Sequence, residues 1–239
     1  MILFDYLLLT TALLLLIVTF TQSRFAKNQI FTSTFLLIIW LLIRTFMTHH
    51  APFSNVFETV VMFATLYLLK ICFSDKSVRD SLLLKIPGVL LITITFLFPE
   101  SLRQPRELPA ILDSFWFYIH VPSYFIGYVS LLFAFILSII QIFNKNNERK
   151  TITNELQLSA FFMTIGLLTG SAWANLSWSH FWGWDPKEIW ALITWLLTLL
   201  TLHCNNKKLR LLCISIAFLS MLFTYFGVSF IFSGLHSYK

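Results

Sequence analysis

Charge is what this sequence has least of. Only 12% of its 239 residues are charged, against about 25% in a soluble domain, while 57% are hydrophobic. That balance excludes a water-soluble globular domain. It gives no support to nucleic-acid binding either, because the 17 basic residues sit in short loops rather than on one continuous face. Cysteine is scarce too. Cys72, Cys204 and Cys213 are odd in number and form no C-x-x-C pair, which argues against a disulfide framework. No C-x-x-C-H occurs, so the chain is not itself a c-type cytochrome. Linkers, repeats and low-complexity tracts are missing, and a single domain over 1–239 is expected. The start lacks a basic n-region and a small-x-small cleavage site, so its apolar run is expected to span a membrane rather than be removed.

What is there instead is apolar helix. The sequence predicts an all-α, polytopic membrane bundle of about eight spans, at roughly 3–21, 28–47, 55–73, 81–98, 115–143, 156–174, 187–204 and 209–232, each near the ~20 residues a bilayer needs. The fourth is the raggedest, with Pro87-Gly88 inside it. The fifth is long enough to start above the membrane plane or to tilt. The 26 Phe suit lipid-facing surfaces. Lys and Arg divide unevenly between the loops: twelve follow spans 1, 3, 5 and 7, and five fall on the other side. The positive-inside rule then puts both termini outside, together with the loop between spans 6 and 7. The outer loops are short and leave no room for a folded external domain.

That loop is the most unusual stretch. Six of the 8 Trp fall between 173 and 195: Trp173, Trp178, Trp182, Trp184, Trp190 and Trp195. An interfacial aromatic belt would scatter them over many helix ends. Crowding at two helix ends and the turn between them suits a platform for a large flat ligand. Asp185-Pro186-Lys187-Glu188 reads as a helix start, with Asp at the N-cap, Pro at N1 and Glu at N3, and a firm cap would hold Trp182 and Trp184 in place. A second polar knot runs from His50 through Pro52, Ser54 and Asn55 to Glu58. Ser54 or Asn55 can start span 3, and Glu58 at a membrane edge is a functional candidate.

The six His complete the candidates. His49, His50, His120, His180 and His236 map to the outer face and His203 to the inner end of span 7. His203 lies about 24 Å of helix from Lys187 and cannot share a site with the others. Imidazoles on one face beside a tryptophan platform suit a metalloporphyrin, whose iron neutral histidines ligate from both sides. Zinc fits worse, since no Cys or carboxylate cluster accompanies them. A bis-histidine site at the inner side cannot be built from this chain alone.

The stretch Trp-Ala-Asn-x-x-Trp-x-x-x-Trp-x-Trp-Asp-Pro-Lys-Glu-x-Trp-Ala-Leu-Ile-Thr-Trp at 173–195 resembles the tryptophan-rich signature of the CcsA family of cytochrome c biogenesis proteins. That family forms the membrane half of the System II haem-attachment machinery. His50-x-Pro-x-Ser-Asn-x-x-Glu and Gly234-Leu-His236-Ser-Tyr238 are similar to its early and C-terminal motifs. Leu176 and His180 depart from the pattern.

The resemblance implies that the chain binds haem b and presents it at the outer face for thioether attachment to C-x-x-C-H apocytochromes c. His120 and His236 would hold haem beside the loop 173–186, with Trp173, Trp178, Trp182, Trp184, Asp185 and Trp190 around it. His203 would ligate haem within the membrane, with a further histidine supplied by a CcsB-type partner that brings a large external domain. The chain would act as part of a holocytochrome c synthase, or haem lyase, complex, in the bacterial inner membrane or the thylakoid membrane. No residue stands out as a general acid or base. Two other readings stay open: a haem exporter or chaperone that hands haem on, and a b-type electron-transfer subunit.

Overall fold

The computed structural model describes residues 2–21, 25–143 and 149–231. They fall into two compact units, Met1–Asp113 and Ser114–Lys239.

The first unit is built on four helices: α1 (Ile2–Val18), α2 (Ala26–Thr48), α3 (Val56–Cys72) and α5 (Leu82–Thr95), with single helical turns α4 (Lys76–Arg79) and α6 (Glu100–Arg103) beside them. Contacts run α1 to α2, α2 to α3, α3 to α5 and α5 to α1, a closed four-helix ring. Gly88 accounts for the closeness of α5. A Cβ there would come 2.7 Å from Leu68 Cδ2 and 3.2 Å from Leu16 Cδ2, so the missing side chain leaves room for these leucines where α5 packs between α1 and α3. The cost is length. With Pro87 inside it, α5 has 14 residues, about 21 Å, and does not cover a bilayer's hydrocarbon core.

Polar side chains tie this ring together where water is absent. The Trp40 indole N–H donates to Asp5 Oδ1 at 2.7 Å. Tyr67 donates its hydroxyl to the Leu84 carbonyl, and the Lys85 ammonium donates to the Thr19 carbonyl. Each bond meets a group that lipid could not satisfy.

The second unit holds α7 (Phe115–Phe143), α8 (Arg149–Trp178), α9 (Pro186–Leu202) and α10 (Lys207–Leu222). A π-helical turn, Phe223–Gly227, leads on into α11 (Val228–Ile231). α8 packs on α7 and α9, and α10 packs on the same two, again closing a four-helix ring. α7 and α8 have 29 and 30 residues, about 44 and 45 Å long. Both exceed the hydrocarbon core. The expected span 6 began at 156, but α8 starts at Arg149. Hydropathy excludes Arg149, Lys150 and Glu155 from a membrane window, whereas all three are good helix formers and simply prolong the helix. At the same end of the unit Arg149 donates to Asn205 Oδ1, Arg210 donates to Gln141 Oε1, and the Cys204 and Cys213 sulfurs lie 3.4 Å apart.

All eight expected spans are therefore helices, and the fold is an all-α membrane bundle. α2, α7, α8 and Lys207–Gly227 are long and apolar enough to cross a membrane. α1, α3 and α9 have 17 residues each, at the lower limit of about 17 for a crossing.

Candidate functional site

The site is assembled at one end of the second unit, where α8 stops, the tryptophan loop turns and α9 begins. α8 ends at Trp178, and Ser179 then takes a left-handed backbone with φ 63°. Trp184 does the same with φ 56°, a conformation that bulky residues rarely adopt. Asp185 next opens α9. Its carboxylate accepts from the Lys187 N–H at 2.9 Å. Glu188 Oε2 reaches back to accept from the Gly183 N–H at 2.8 Å and the Asp185 N–H at 3.2 Å. The expected N-cap, Pro at N1 and Glu at N3 thus form a full capping box. Its grip on Gly183 and Asp185 brackets Trp184, which is 68% exposed. The Trp182 and Trp184 rings meet edge to face at 6.0 Å.

His120 belongs to the same end. It is the sixth residue of α7, and its Nδ1 lies 2.8 Å from the Gly166 carbonyl oxygen of α8. Its ring centroid is 6.0 Å from that of Trp173, at an interplanar angle of 30°. Trp173 in turn meets Trp178 at 5.0 Å, edge to face, and Phe117 at 5.6 Å. The structure thus brings His120, Trp173 and Trp178 together. Trp190 sits on the first turns of α9 and packs against Phe223 at 4.4 Å. Thr194 bonds to Ser220 and Thr224. The far end of α10, with its π-helical turn, therefore runs beside the start of α9. π turns of this kind recur at functional sites. His236 lies outside the described residues.

The other candidates separate from this group. His203 caps the opposite end of α9 and is exposed. α9 has 17 residues, about 25 Å, so no ligand of porphyrin size is shared between His203 and the loop. His180 is exposed in the loop, 2.6 Å from where a Cβ on Gly183 would stand; Gly183 is what lets that ring lie down on the backbone.

His50 has a structural task in the first unit. Its Nδ1 and Nε2 each lie 2.9 Å from a carbonyl oxygen, of Ala51 and Arg106. Both ring nitrogens are engaged with backbone, which suits a clasp and not a metal ligand. Glu58 is likewise engaged: it accepts from Arg44 Nε, from the Ser54 N–H and from the Ser54 hydroxyl. Asn55, not Ser54, is the N-cap of α3, accepting from the Glu58 N–H.

Whether these residues suit a haem can be judged from their own chemistry. A carbonyl oxygen only accepts, so the His120 Nδ1 carries a proton, and the neutral form of a ring so held has its lone pair on Nε2, the form that ligates iron. Trp182 Nε1 is buried with no acceptor among the described residues, a donor that a haem carboxylate would satisfy. No cluster of three or more His, Cys, Asp or Glu that could hold a metal ion occurs among the described residues. A porphyrin's iron needs only axial protein ligands, and the donor set fits it.

Sequence reasoning missed the two glycines under His120, the left-handed Ser179 and Trp184, and the π turn. Gly166 and Gly170, spaced one helical turn apart, were a visible signal. The backbone states of Ser179 and Trp184 were not.

Known proteins are similar to this chain. A CcsA cytochrome c biogenesis protein from Chlamydomonas reinhardtii is 32% identical, over 93% of this chain and 70% of its own length. The CcsA of Mesostigma viride is 28% identical over 98% of this chain and 94% of its own. That of Prochlorococcus marinus strain MIT 9301 is 29% identical over 91% and 85%. Among solved structures, the cytochrome c haem lyase CcmF shares the fold, with a TM-score of 0.68 at 16% identity. The match covers 93% of this chain but only 45% of CcmF. The family model for the cytochrome c assembly protein matches residues 2–236. With that match running nearly end to end, across both helical rings and the capped tryptophan loop, the chain belongs to the cytochrome c assembly protein family, among the CcsA relatives.

Proposed function

We propose that this membrane protein binds haem b as its cargo and presents it at the outer face for covalent attachment to C-x-x-C-H apocytochromes c, working with a CcsB-type partner. The observation that carries the reading is His120. Its ring lies beside the Trp173–Trp178 pair with Nδ1 on a carbonyl, the kind of partner that orients a histidine ligating through its other nitrogen. His236 would be the second histidine holding the haem, and Trp182, Trp184, Asp185 and Trp190 would shape the platform directly or through the cap. Haem brings its vinyl groups: each adds the S–H of an apocytochrome cysteine, forming a carbon–sulfur bond and taking the proton on the neighbouring carbon, with no net redox change. The chain contributes placement, exclusion of water by the tryptophans, and control of the iron through its axial histidines. His203 holds haem on the inner side together with a histidine from the partner. The two units act as one haem-handling domain, in the bacterial inner membrane or the thylakoid membrane.

The test is a reporter cytochrome c assembled in cells from this chain and a CcsB-type partner. His120→Ala and His236→Ala should each abolish holocytochrome, and added imidazole should partly restore it by filling the vacant axial position. Normal assembly in both variants would refute the assignment and make His180 the next residue to test. A chain that acquires haem but never supports thioether formation would instead be an exporter.

A further inference from the structure

His120 is held by α8 in a way that its own residue type does not explain. The Gly166 carbonyl takes the Nδ1 proton. Four residues on, a Cβ added to Gly170 would come 2.5 Å from that same Nδ1 and 2.6 Å from Cε1. A Cβ on Gly166 would come 2.5 Å from Cδ2 of Tyr124, the residue one turn after His120 on α7. The His120 and Tyr124 rings meet edge to face at 5.1 Å. Two glycines at i and i+4 on α8 thus make one notch that receives two rings at i and i+4 on α7. The whole chain has only 7 Gly, and glycine inside a helix is destabilising relative to alanine. Neither glycine has positive φ, so space and not backbone freedom is the reason for them.

We infer that Gly166 and Gly170 are positioning residues for His120. The Gly166 carbonyl selects the tautomer with the lone pair on Nε2, and the missing side chain at Gly170 sets the plane and depth of the ring. Partners that orient a ligating histidine through its other nitrogen govern both its basicity and its direction. The inference rests on the reading of His120 as a haem ligand.

Gly127 provides the control. It lies at the same α7–α8 contact, where a Cβ would meet Met163 Cγ at 3.0 Å and the Ser159 carbonyl at 3.2 Å, not the His120 ring. The complex with the CcsB-type partner is purified in a His203→Ala background, which removes the inner haem, as the otherwise wild-type chain, His120→Ala, Gly170→Ala and Gly127→Ala, and visible spectra are taken with and without added imidazole. We expect His120→Ala and Gly170→Ala to lose low-spin six-coordinate haem alike, although Gly170→Ala retains its histidine, and imidazole to restore it in both. Gly127→Ala should match wild type. A wild-type spectrum from Gly170→Ala overturns the inference, as does a loss of low-spin haem in Gly127→Ala equal to that in Gly170→Ala. An unchanged spectrum from His120→Ala instead overturns the ligand assignment itself. Should Gly170→Ala fail to accumulate, the double variant Gly170→Ala/His120→Ala decides: recovery traces the defect to the ring seat, whereas continued failure shows ordinary helix packing and the inference falls.

Discussion

Arg44 Nε and Glu58 Oε1 meet at 2.8 Å with side chains 1% and 0% exposed, so an ion pair joins α2 to α3 entirely out of solvent. It does not stand alone. Arg44 also donates to the Arg103 carbonyl, and Arg103 donates to the Phe96 and Phe98 carbonyls, with its guanidinium 4.6 Å from the Tyr6 ring centroid. The second motif of the sequence, His50 to Glu58, is in this structure a fastening between helices and loops of the first unit. Removing one partner leaves a buried, uncompensated charge, which costs roughly 3–5 kcal/mol. Arg44→Ala should therefore lower the thermal unfolding temperature in detergent far more than the paired apolar replacement Arg44→Met/Glu58→Leu. Equal losses from the two would show that the ion pair is not what holds α2 to α3.

The cap at Asp185 predicts a graded series. Asp185→Asn keeps an acceptor for the helix N–H groups and should be nearly silent in folding. Asp185→Ala should cost about 1 kcal/mol and release the loop that carries Trp182 and Trp184, with a parallel fall in reporter cytochrome. If Ala and Asn variants assemble cytochrome equally well, the cap has no part in shaping the platform.

Trp184 separates folding from binding. A non-glycine residue in the left-handed region is strained by roughly 1–2 kcal/mol, and glycine relieves it. Trp184→Gly should unfold at the same or a higher temperature than wild type yet retain less haem through purification. A variant that keeps its full haem content would show that the exposed indole does not contact the ligand.

Topology is open to labelling. In a background with Cys72, Cys204 and Cys213 replaced by serine, single cysteines at Ser179 and Asn146 should react with an impermeant maleimide from opposite sides of the membrane, Ser179 from outside. Labelling from one side alone would remove the basis for grouping the outer histidines.

His203 stands at the opposite end of α9 from the loop, exposed, with its backbone N–H on the Leu200 carbonyl. The chain purified alone should show no haem signal that depends on His203, since its own histidines complete only the outer site. Co-purified with a CcsB-type partner, it should show a low-spin six-coordinate component that His203→Ala removes. A spectrum of the co-purified complex that His203→Ala leaves unchanged would mean no inner site of this kind exists.

Much of this protein is legible in the sequence because a bilayer allows few choices. Backbone groups in lipid must bond within their own segment, so apolar runs become helices, and all eight were placed. Local chemistry was equally readable: Asp185, Pro186 and Glu188 specify a cap through bonds spanning three residues. The gathering of tryptophans into one loop needed only counting. The limits of hydropathy appear where helices outrun the membrane, as at Arg149, or fall short of it, as at α5, because Pro87 and Gly88 report packing rather than solvent.

What the tertiary structure decided is which polar groups meet across the helices. In sequence, His50 and His120 are equivalent imidazoles at helix ends. In space, the first has its nitrogens on the carbonyls of Ala51 and Arg106, while the second has Nδ1 on the Gly166 carbonyl and its ring beside Trp173. The distances that set the two imidazoles apart connect residues 46 to 56 positions apart. They arise from how the helices of each ring pack, and no local pattern encodes that. The same holds for Gly166 and Gly170: their spacing is written in the chain, but the two rings that fill the space come from another helix.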